Sequence, residues 1–523
     1  MQLAYLYSRY PVISQTFCDM EMLELERRGY DLLIGAVHPP LTSLRHEHIS
    51  RFRSPVHYAP PAPVMALWEE KARGGERWPK ALIRRHERKY GQAFKAALRA
   101  RNAFYFADFF ARHGIRHFHV HFANRAAHTA LFLKEISGIP FSITAHGQDF
   151  MSDLGEDDLL REICQAAEFV AVETDYSRGL LQARCPDAAE KIHRVYNGLD
   201  LANLPTPPLW ERPPGPTTIL SVGRLVPFKG FEFLLEACAE LDRRNFDFRC
   251  QIVGDGPLRG KLETMIANLN LRRRVELCGS LSQEDVFSKL RNCDIFALAS
   301  VVDAAGASDV FPTVIMEAMA CAKPVVSTTL AGIPESVADG VTGLLVPPGD
   351  WEALADALDK LVRDRGSRAR FGEAGRARMA NEFDVVKTVE PLHQLFTSCL
   401  STSPVRKAVR AAVPGVKQVA YLIDRWPDAN LPLLEMELRA LQRNKVPHVA
   451  LVVHPPIASE LADRTNDLVM QFEYLPDAMV IEGEWQASTT LVRELETVRA
   501  NQKHRPPSDL FLEQIRWALA LRR

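Results

Sequence analysis

The amino-acid sequence predicts an α/β protein with two Rossmann-like domains and a partial copy of the first domain at its C-terminal end. Three observations lead to this fold class. Short apolar strands alternate with helical segments in both main parts of the chain, as in doubly wound parallel sheets. A proline-rich linker, 204–216, separates the two parts, and residues 418–523 begin with a repeat of the chain's first residues. We therefore expect domains over 1–203 and 217–382.

The first domain begins with a βαβ unit. Residues 2–7 predict a buried strand, and Asp31 to Val37 predict a second one. Between them, Phe17 to Arg28 has helical spacing and is followed by Gly29, a residue suited to ending a helix. Parallel strands place their carboxyl ends at one edge of the sheet, where ligands bind by default. The polar residues expected at this edge are Ser14, Gln15, Thr16 and Asn197.

Two histidine-bearing strands follow in the first domain. His117, His119 and His121 alternate, so their imidazoles point to one face of a strand. A zinc site is one interpretation, and the other is a packed strand from which only His121 reaches the cleft. The strand from Pro140 to Ala145 delivers His146 directly to the ligand edge, beside a glycine. His121 and His146 are therefore candidate site residues, and a packed loop histidine is the alternative for His146.

The second domain carries two glycine turns at strand ends. In the first turn a strand ends at Gly223, and Arg224 and Lys229 precede the next helix. A planar guanidinium and a mobile ammonium together suit a diphosphate. In the second turn the next strand ends at Gly254, at the same sheet edge. The pattern predicts an anion site at this edge.

The stretch 308–350 passes from a polar loop into a helix predicted over Val314 to Ala322. A helix start offers unpaired backbone N–H groups to an anion. Asp309 and Glu317 are eight residues apart across this joint, so both can face one ligand. The alternative is an ordinary crossover with two surface acids. The residues at the joint are Phe311, Pro312 and Thr313.

In this order and spacing, the Gly-Arg…Lys-Gly segment, the Val-Gly-Asp-Gly-Pro turn and the acid pair resemble the donor domain of the retaining GT-B glycosyltransferases of family four. The resemblance covers roughly residues 1–400, and it implies two Rossmann-like domains that face each other across a cleft. The chain departs from the family pattern at Asp309, where the family has Glu. The loop from Ser14 to Phe17 is similar to that of an exopolysaccharide subgroup of the colanic acid type.

The resemblance implies a hexosyltransferase that uses a UDP- or GDP-sugar and a saccharide or lipid-linked acceptor, with retention of configuration. No Asp-x-Asp triplet occurs in the chain, which agrees with transfer without a metal and with no cofactor besides the nucleotide sugar. A nucleotide-sugar epimerase and a non-catalytic sugar-nucleotide-binding scaffold remain as alternatives. The implied catalytic residues are His146, Asp309, Arg224 and Lys229. The implied donor-binding residues are Gly223, Arg224, Lys229, Gly254, Leu281, Phe311, Pro312, Thr313 and Glu317. The acceptor side is assigned to Ser14, Gln15, Thr16, His121 and Asn197.

The C-terminal part of the chain repeats the beginning. Residues 383–398 resemble the family's last helix, which crosses back to the first domain, and 399–417 predict a second linker. Beyond it, two blocks match earlier ones at a single offset, which indicates a duplicated unit. The matched blocks are Gln418–Pro427 with Gln2–Pro11, and Val453–Pro456 with Val37–Pro40. We expect this copy, 418–523, to pack on the main body or on a second chain.

Composition limits the remaining function classes. The 523 residues have a net charge of −1, which argues against a nucleic-acid partner. Nine scattered cysteines and no sign of a signal peptide favour reduced thiols and a cytoplasmic location. The segment 69–101 is basic and amphipathic, so it is either a solvated helix face or a contact with anionic lipid at the inner face of the membrane.

Overall fold

The computed structural model describes residues 1–402 with gaps, and two further strands beyond them. The gaps are 13, 39–45, 55, 60–64, 66–68, 71, 76, 151–156 and 205–214, and the two further strands are Val419–Ile423 and His448–Val452. The described residues include both predicted domains. Most of the linker 204–216 and most of the segment 399–417 lie outside them.

The first sheet has seven parallel strands in the order β3-β2-β1-β4-β5-β6-β7. Alternate residues of its central strand enter two different apolar cores, Leu6 in one and Leu3 and Tyr5 in the other. Both faces of the sheet are therefore covered, as in doubly wound folds. The strands are β1 Gln2–Arg9, β2 Asp31–His38, β3 Val56–Tyr58, β4 Phe118–His121, β5 Phe141–Ala145, β6 Val170–Val172 and β7 Ile192–Arg194.

The described helices of the first domain connect these strands. They are α1 Thr16–Arg27, α2 Lys80–Tyr90, α3 Ala96–Arg112, α4 Arg125–Ser137, α5 Asp158–Ala166 and α6 Asp175–Arg184. Helix α1 ends one residue before the predicted end, and Gly29 follows with a φ of +85°, which explains the glycine at this turn.

The basic segment 69–101 buries its apolar side in the first domain. Trp78, Leu82 and Tyr90 are 5–9% exposed, whereas Phe94 is 37% exposed. The apolar face of α2 is therefore used for packing, and its exposed face carries charged side chains. The exposed cations of the segment include Arg73, Arg77, Lys80, Arg84, Arg85, Arg88, Lys89 and Lys95.

The second sheet has six parallel strands in the order β10-β9-β8-β11-β12-β13. The strands are β8 Thr217–Val222, β9 Phe248–Val253, β10 Val275–Gly279, β11 Ile295–Ala297, β12 Val325–Thr328 and β13 Gly343–Val346. Its described helices are α7 Phe231–Arg243, α8 Arg259–Asn268, α9 Gln283–Asn292, α10 Thr313–Ala320, α11 Ile333–Ser336, α12 Trp351–Arg363 and α13 Arg365–Glu382. Two facing α/β sheets confirm the predicted pair of Rossmann-like domains.

The crossing segment differs from its prediction as one helix over 383–398. It consists of two helices, α14 Val385–Thr388 and α15 Glu390–Thr402, and the second includes the first four residues of the predicted linker. Pro391 has no backbone N–H and suits the first turn of a new helix, which explains the break. Both helices pack on the first domain, where Val385 and Phe396 join the core of Tyr5.

The two domains also contact each other through the carboxylate of Glu335. Its two oxygens accept hydrogen bonds from the backbone N–H groups of Asp175 and Tyr176, each at 2.8 Å, at the start of α6. The phenol of Tyr196 donates to the same carboxylate at 3.0 Å. A residue of the second domain thus caps a helix of the first, where a negative charge is favourable.

The C-terminal strands β14 (Val419–Ile423) and β15 (His448–Val452) pair in parallel. Their register is that of β1 on β2 with 416 added to every number, since Leu3 pairs with Leu32 and Val419 pairs with His448. The rest of the predicted copy lies outside the described residues. No described helix is long and apolar enough to cross a membrane.

Candidate active site

The candidate active site is a cavity between the carboxyl ends of the two sheets. Its volume is about 310 Å³, and loops that follow strands of both domains line it. It brings together every residue assigned from the sequence except His121. From the first domain these are Ser14, Gln15, Thr16, His146 and Asn197. From the second domain they are Gly223, Arg224, Lys229, Gly254, Leu281, Asp309, Phe311, Pro312, Thr313 and Glu317.

One wall of the cavity is made by two loops that contact each other through glycine. A Cβ atom on Gly254 would lie 1.9 Å from the carbonyl oxygen of Gly223, and Gly254 has a φ of +138°. Only glycine tolerates this contact and this backbone conformation. The contact fixes the loop that carries Arg224.

The two cations of this wall stand in different surroundings. Arg224 is exposed to the cavity and makes no ion pair with any described residue. The Nζ of Lys229 lies 2.5 Å from Oδ2 of Asp309. The same oxygen accepts a hydrogen bond from the hydroxyl of Ser300 at 3.3 Å. Both side chains of the pair are largely shielded, at 12% and 15% exposure. An incoming anion therefore meets one free cation and one that is held by a carboxylate.

The start of α10 forms the neighbouring wall. Its first residue is Thr313, and Pro312 before it gives no side-chain hydrogen bond to the helix N–H groups. These groups point out of the helix end and favour an anion. Glu317 lies one turn later, and its burial raises the pKa of its carboxyl to about 7. A buried acid with this pKa can accept or donate a hydrogen bond at neutral pH.

His146 forms the opposite wall, at the end of β5. Its ring contacts those of Phe17 and Phe122, with centroids 4.8 and 4.5 Å away. Its backbone N–H donates to Asp149 at 2.9 Å, which fixes the turn. Burial, with a smaller contribution from His121, lowers the pKa of His146 well below its usual value. The ring is therefore neutral at neutral pH.

The prediction that His121 reaches the cleft is wrong. His121 is 1% exposed and lies behind His146, with its Nδ1 3.1 Å from Nε2 of His146. The alternation of the strand gave the correct face, but α1 covers that face and closes it from the cavity. A direct contact between His121 and an acceptor is excluded by this burial.

Three residues behind the cavity wall could hold a metal ion. Glu21, His119 and His121 place ligand atoms within 4.8 Å of one another. However, the ring nitrogens of His119 face the hydroxyls of Ser142 and Thr144 at 2.8 and 2.9 Å. Those of His121 face His146 and Glu21. A hydrogen-bonded network accounts for all four ring nitrogens, so the donor set does not call for an ion.

Two further residues, one in the cavity wall and one in an adjoining pocket, were missed in the sequence. Glu173 follows β6, lines the cavity and is 4% exposed. His48 joins the domains, since its ring nitrogens lie 2.7 Å from Asp19 and 2.9 Å from Gln283. Glu173 could have been found from its place directly after a strand at the ligand edge. No pattern in the sequence indicates the contact between His48 and Gln283.

Comparisons with known proteins agree with this geometry. A family model described as "Glycosyltransferase Family 4" matches residues 16–203, and one described as "Glycosyl transferases group 1" matches residues 208–378. The chain is 31% identical over 401 residues to the amylovoran biosynthesis glycosyltransferase AmsK of Erwinia amylovora, covering 73% of this chain and 96% of that protein.

Two solved structures share the fold. Sucrose-phosphate synthase of Thermosynechococcus elongatus matches with a TM-score of 0.58 and 18% identity, over 77% of this chain and 100% of that one. HepE of Anabaena, in complex with UDP-glucose, matches with a TM-score of 0.53 and 20% identity, over 76% and 100%. The fold is thus that of the GT-B glycosyltransferases. The chain itself belongs to glycosyltransferase family four.

Proposed function

We propose that this glycosyltransferase moves a hexose from a UDP- or GDP-sugar to a saccharide or lipid-linked acceptor, with retention of the anomeric configuration and without a metal ion. The relative in amylovoran biosynthesis and the UDP-glucose bound by HepE support this donor class and a place in bacterial polysaccharide assembly. The observation that carries the proposal is the wall formed by Arg224, Lys229 and the start of α10, in the same cavity that His146 lines from the first domain.

The wall of cations would carry the charge of the departing diphosphate. Arg224 offers a planar fork of N–H donors, and the ammonium of Lys229 adds a point charge. The N-terminus of α10 adds backbone N–H groups at Thr313. Because these groups are already in place, they stabilise the charge that develops on the leaving group without reorganisation.

The remaining groups would orient the nucleotide and the sugar. Glu317 would accept hydrogen bonds from the ribose hydroxyls. Leu281 and its turn would lie beside the nucleotide base. Asp309 and His146 would contact the transferred sugar from opposite sides. The loop from Ser14 to Thr16 and Asn197 would face the acceptor, since they line the first-domain side of the cavity.

The proposal is tested by a screen of UDP- and GDP-hexoses for thermal stabilisation, followed by turnover with the donors that bind. A true donor stabilises the folded protein because it binds only that state. Release of nucleoside diphosphate with transfer of the sugar is the expected result. A donor that is only isomerised would indicate an epimerase, and a donor that binds without turnover would indicate a scaffold.

Metal independence gives a separate prediction. Side-chain cations and helix N–H groups would neutralise the diphosphate, so turnover should persist in the presence of EDTA. Initial rates before and after dialysis against EDTA measure this. If dialysis abolishes turnover and Mg²⁺ or Mn²⁺ restores it, a bridging metal carries the phosphate charge and the proposed role of Arg224 and Lys229 is wrong.

A contact with the inner face of the cell membrane would be electrostatic. Arg84 and Arg88 lie on the exposed side of α2, whose apolar side is buried. We expect the protein to float with vesicles of anionic lipid, and to do so less at high salt. Each cation at the surface should contribute roughly 1 kcal/mol to the free energy of membrane binding. Changing both arginines to glutamate should reduce flotation. The same change at Arg272 and Arg273, exposed in the second domain, is the control, and an equal loss there would exclude a specific face.

The C-terminal copy is proposed to have a structural or partner-binding role. A chain cut after Thr402, the last residue of α15, should bind the donor like the full chain, because all the described residues that line the cavity lie before that point. Its oligomeric state, solubility or use of acceptors should change. Calorimetry with the donor and light scattering measure the two effects, and a folded truncated chain without donor affinity would contradict this role.

A further inference from the structure

A cluster of cationic side chains lies at the carboxyl edge of the first sheet, outside the lining of the candidate active site. Arg9 and His38 are the last residues of β1 and β2, and they are partners in the register of these strands. Helix α3 leads into β4 and helix α4 follows it, so both helices begin at the carboxyl edge. Arg99 and Arg101 lie near the start of α3, and Arg125 is the first residue of α4. We call these five residues the edge cluster.

The charges of the edge cluster act on one another. Partial burial lowers the pKa of His38, and the positive charges of Arg9, Arg99 and Arg101 lower it further. Burial also lowers the pKa of Arg99, and the charge of Arg125 adds to this effect. Like charges that are brought together disfavour each other's charged form. The fold thus holds several guanidinium groups within range of one another, an arrangement that a bound anion would stabilise.

The described residues supply little negative charge to the edge cluster. Arg99 and Arg125 make no ion pair with any of them. Arg101 has its Nη1 3.9 Å from Oε2 of Glu69, whose other oxygen lies 2.6 Å from Arg73. The Nε atoms of Arg99 and Arg101 are buried and make no hydrogen bond within the described part of the chain. Donor groups are therefore left for a ligand.

Acidic residues are also missing from the chain segments that lead to this edge. Neither α3 nor α4 has an acid in its first turn, where a negative charge is normally favourable. The segments 39–45 and 59–68, which follow β2 and β3 in the chain, contain no Asp or Glu. Positive charge is thus kept at the start of two helices against the preference of those helices, and binding of an anion explains why.

The edge cluster is close to the first-domain side of the cavity. Arg125 comes three residues after Phe122, and Ser14 comes five residues after Arg9. Phe122 and Ser14 both line the cavity. Three extended residues span at most about 11 Å, so Arg125 is no further than this from Phe122. A ligand with a short saccharide can therefore occupy the edge cluster and the cavity together.

We propose that the edge cluster binds the phosphate or diphosphate that carries the acceptor saccharide, while a hydroxyl at the other end of that saccharide reaches the cavity. The proposal rests on the proposed function in taking the first-domain side of the cavity as the acceptor side. It deepens that function, because it assigns an acceptor carried on a phosphate and not a free saccharide. Guanidinium groups match phosphate oxygens through paired N–H donors, and β1, α3 and α4 each supply them here.

The first test measures the binding of inorganic diphosphate to the full-length Arg224→Ala/Lys229→Met protein by calorimetry. This variant lacks the two cations of the cavity wall, so the edge cluster remains for the probe. The expected result is one diphosphate bound by each chain. A further Arg99→Gln or Arg125→Gln change should weaken binding by about tenfold or more, because it removes charge-assisted hydrogen bonds. Absence of binding to the folded variant would overturn the proposal.

Arg272→Gln is the matched control for these changes. Arg272 is exposed in the second domain, and its replacement removes the same charge. It should leave the affinity for diphosphate unchanged. Arg125 is exposed at a helix start, so Arg125→Gln should fold and should unfold at the native temperature or slightly above it. Equal affinities in the Arg272→Gln and Arg125→Gln proteins would overturn the site.

The second test separates the phosphate of an acceptor from the phosphate of a membrane lipid. Its probes are a farnesyl diphosphate-linked hexose and the farnesyl glycoside of the same hexose, compared as acceptors over the common hexoses. The diphosphate acceptor should have a KM lower by about tenfold or more, because charge-assisted hydrogen bonds hold it, and Arg99→Gln and Arg125→Gln should remove most of this difference.

Two results of the second test would contradict the acceptor role. One is an equal KM for both acceptors in the native protein. The other is a loss of flotation with anionic vesicles in Arg99→Gln and Arg125→Gln as large as that caused by changing Arg84 and Arg88. The edge cluster would then contact the headgroups of membrane lipids.

The outcomes separate this proposal from the function on which it rests. The first test can succeed in a protein that transfers no sugar to either probe or to a free saccharide. That result would support the anion site and reject the proposed function. Sugar transfer by a protein whose diphosphate binding does not depend on Arg99 or Arg125 would overturn the anion site and leave the proposed function intact.

Discussion

Replacing Lys229 by methionine should lower kcat/KM by about 100-fold or more, the scale of one lost preorganised electrostatic group in an active site. Arg224→Ala should have an effect of the same order, because that side chain lines the cavity and makes no ion pair with any described residue. Both variants should unfold at nearly the same temperature as the native protein, so that their activity can be assayed. Steady-state kinetics with the identified donor measure the loss.

The Lys229 variant needs a second change, because Lys229 is paired with Asp309 at 2.5 Å. Removing the lysine alone leaves an uncompensated carboxylate in the cavity, which would itself repel a diphosphate. Asp309 would itself contact the sugar, so the double variant Lys229→Met/Asp309→Asn is compared with Asp309→Asn alone, and the difference shows what the missing cation contributes. Lys261→Met, at an exposed pair with Glu232, is the control and should change little. Full activity in the single lysine variant would remove Lys229 from the phosphate site.

Replacing Gly254 by alanine should destabilise the second domain by about 2 kcal/mol or more, since the new Cβ atom meets a carbonyl oxygen and the backbone conformation is unfavourable for alanine. The clash is with the backbone of Gly223, 1.9 Å away, so a side-chain rotation cannot relieve it. The loop that carries Arg224 must shift, and donor affinity should fall with stability. Thermal unfolding and calorimetry measure the two effects.

Gly260→Ala is the matched control for this change. Gly260 lies in α8 with open space around its Cβ position, so alanine should stabilise the helix by about 0.5–1 kcal/mol. Equal thermal midpoints for the Gly254 and Gly260 variants would contradict the contact between the two glycine loops.

The fold class and most of the cavity lining could be predicted because both depend on local patterns. Strand–helix alternation fixes a parallel sheet, and the carboxyl ends of its strands share one edge. The glycine turns at Gly223 and Gly254 lie at such ends, and Asp309 and Glu317 flank the start of the helix that follows β11, so their convergence followed from the topology. The chain's membership in family four agrees with the motifs that these residues form.

The depth of a side chain below the cavity surface could not be predicted in this way. The period of a strand places His121 on the correct face, but only the packing of α1 decides whether that face is open. The position of Glu173 directly after β6 indicates the ligand edge, but its burial depends on the packing around it. The break before α15 depends on Pro391, whose effect on a helix varies with its position.

The most direct measurement is the structure of the product formed from a ¹³C-labelled nucleotide sugar and a bacterial glycolipid or oligosaccharide acceptor. NMR of the purified product gives the anomeric configuration of the new bond, and chromatography gives the nucleoside diphosphate released with it. The proposed function predicts one diphosphate for each sugar transferred, with the configuration of the donor retained. An inverted product, or a sugar that is altered while it stays attached to its nucleotide, would contradict it.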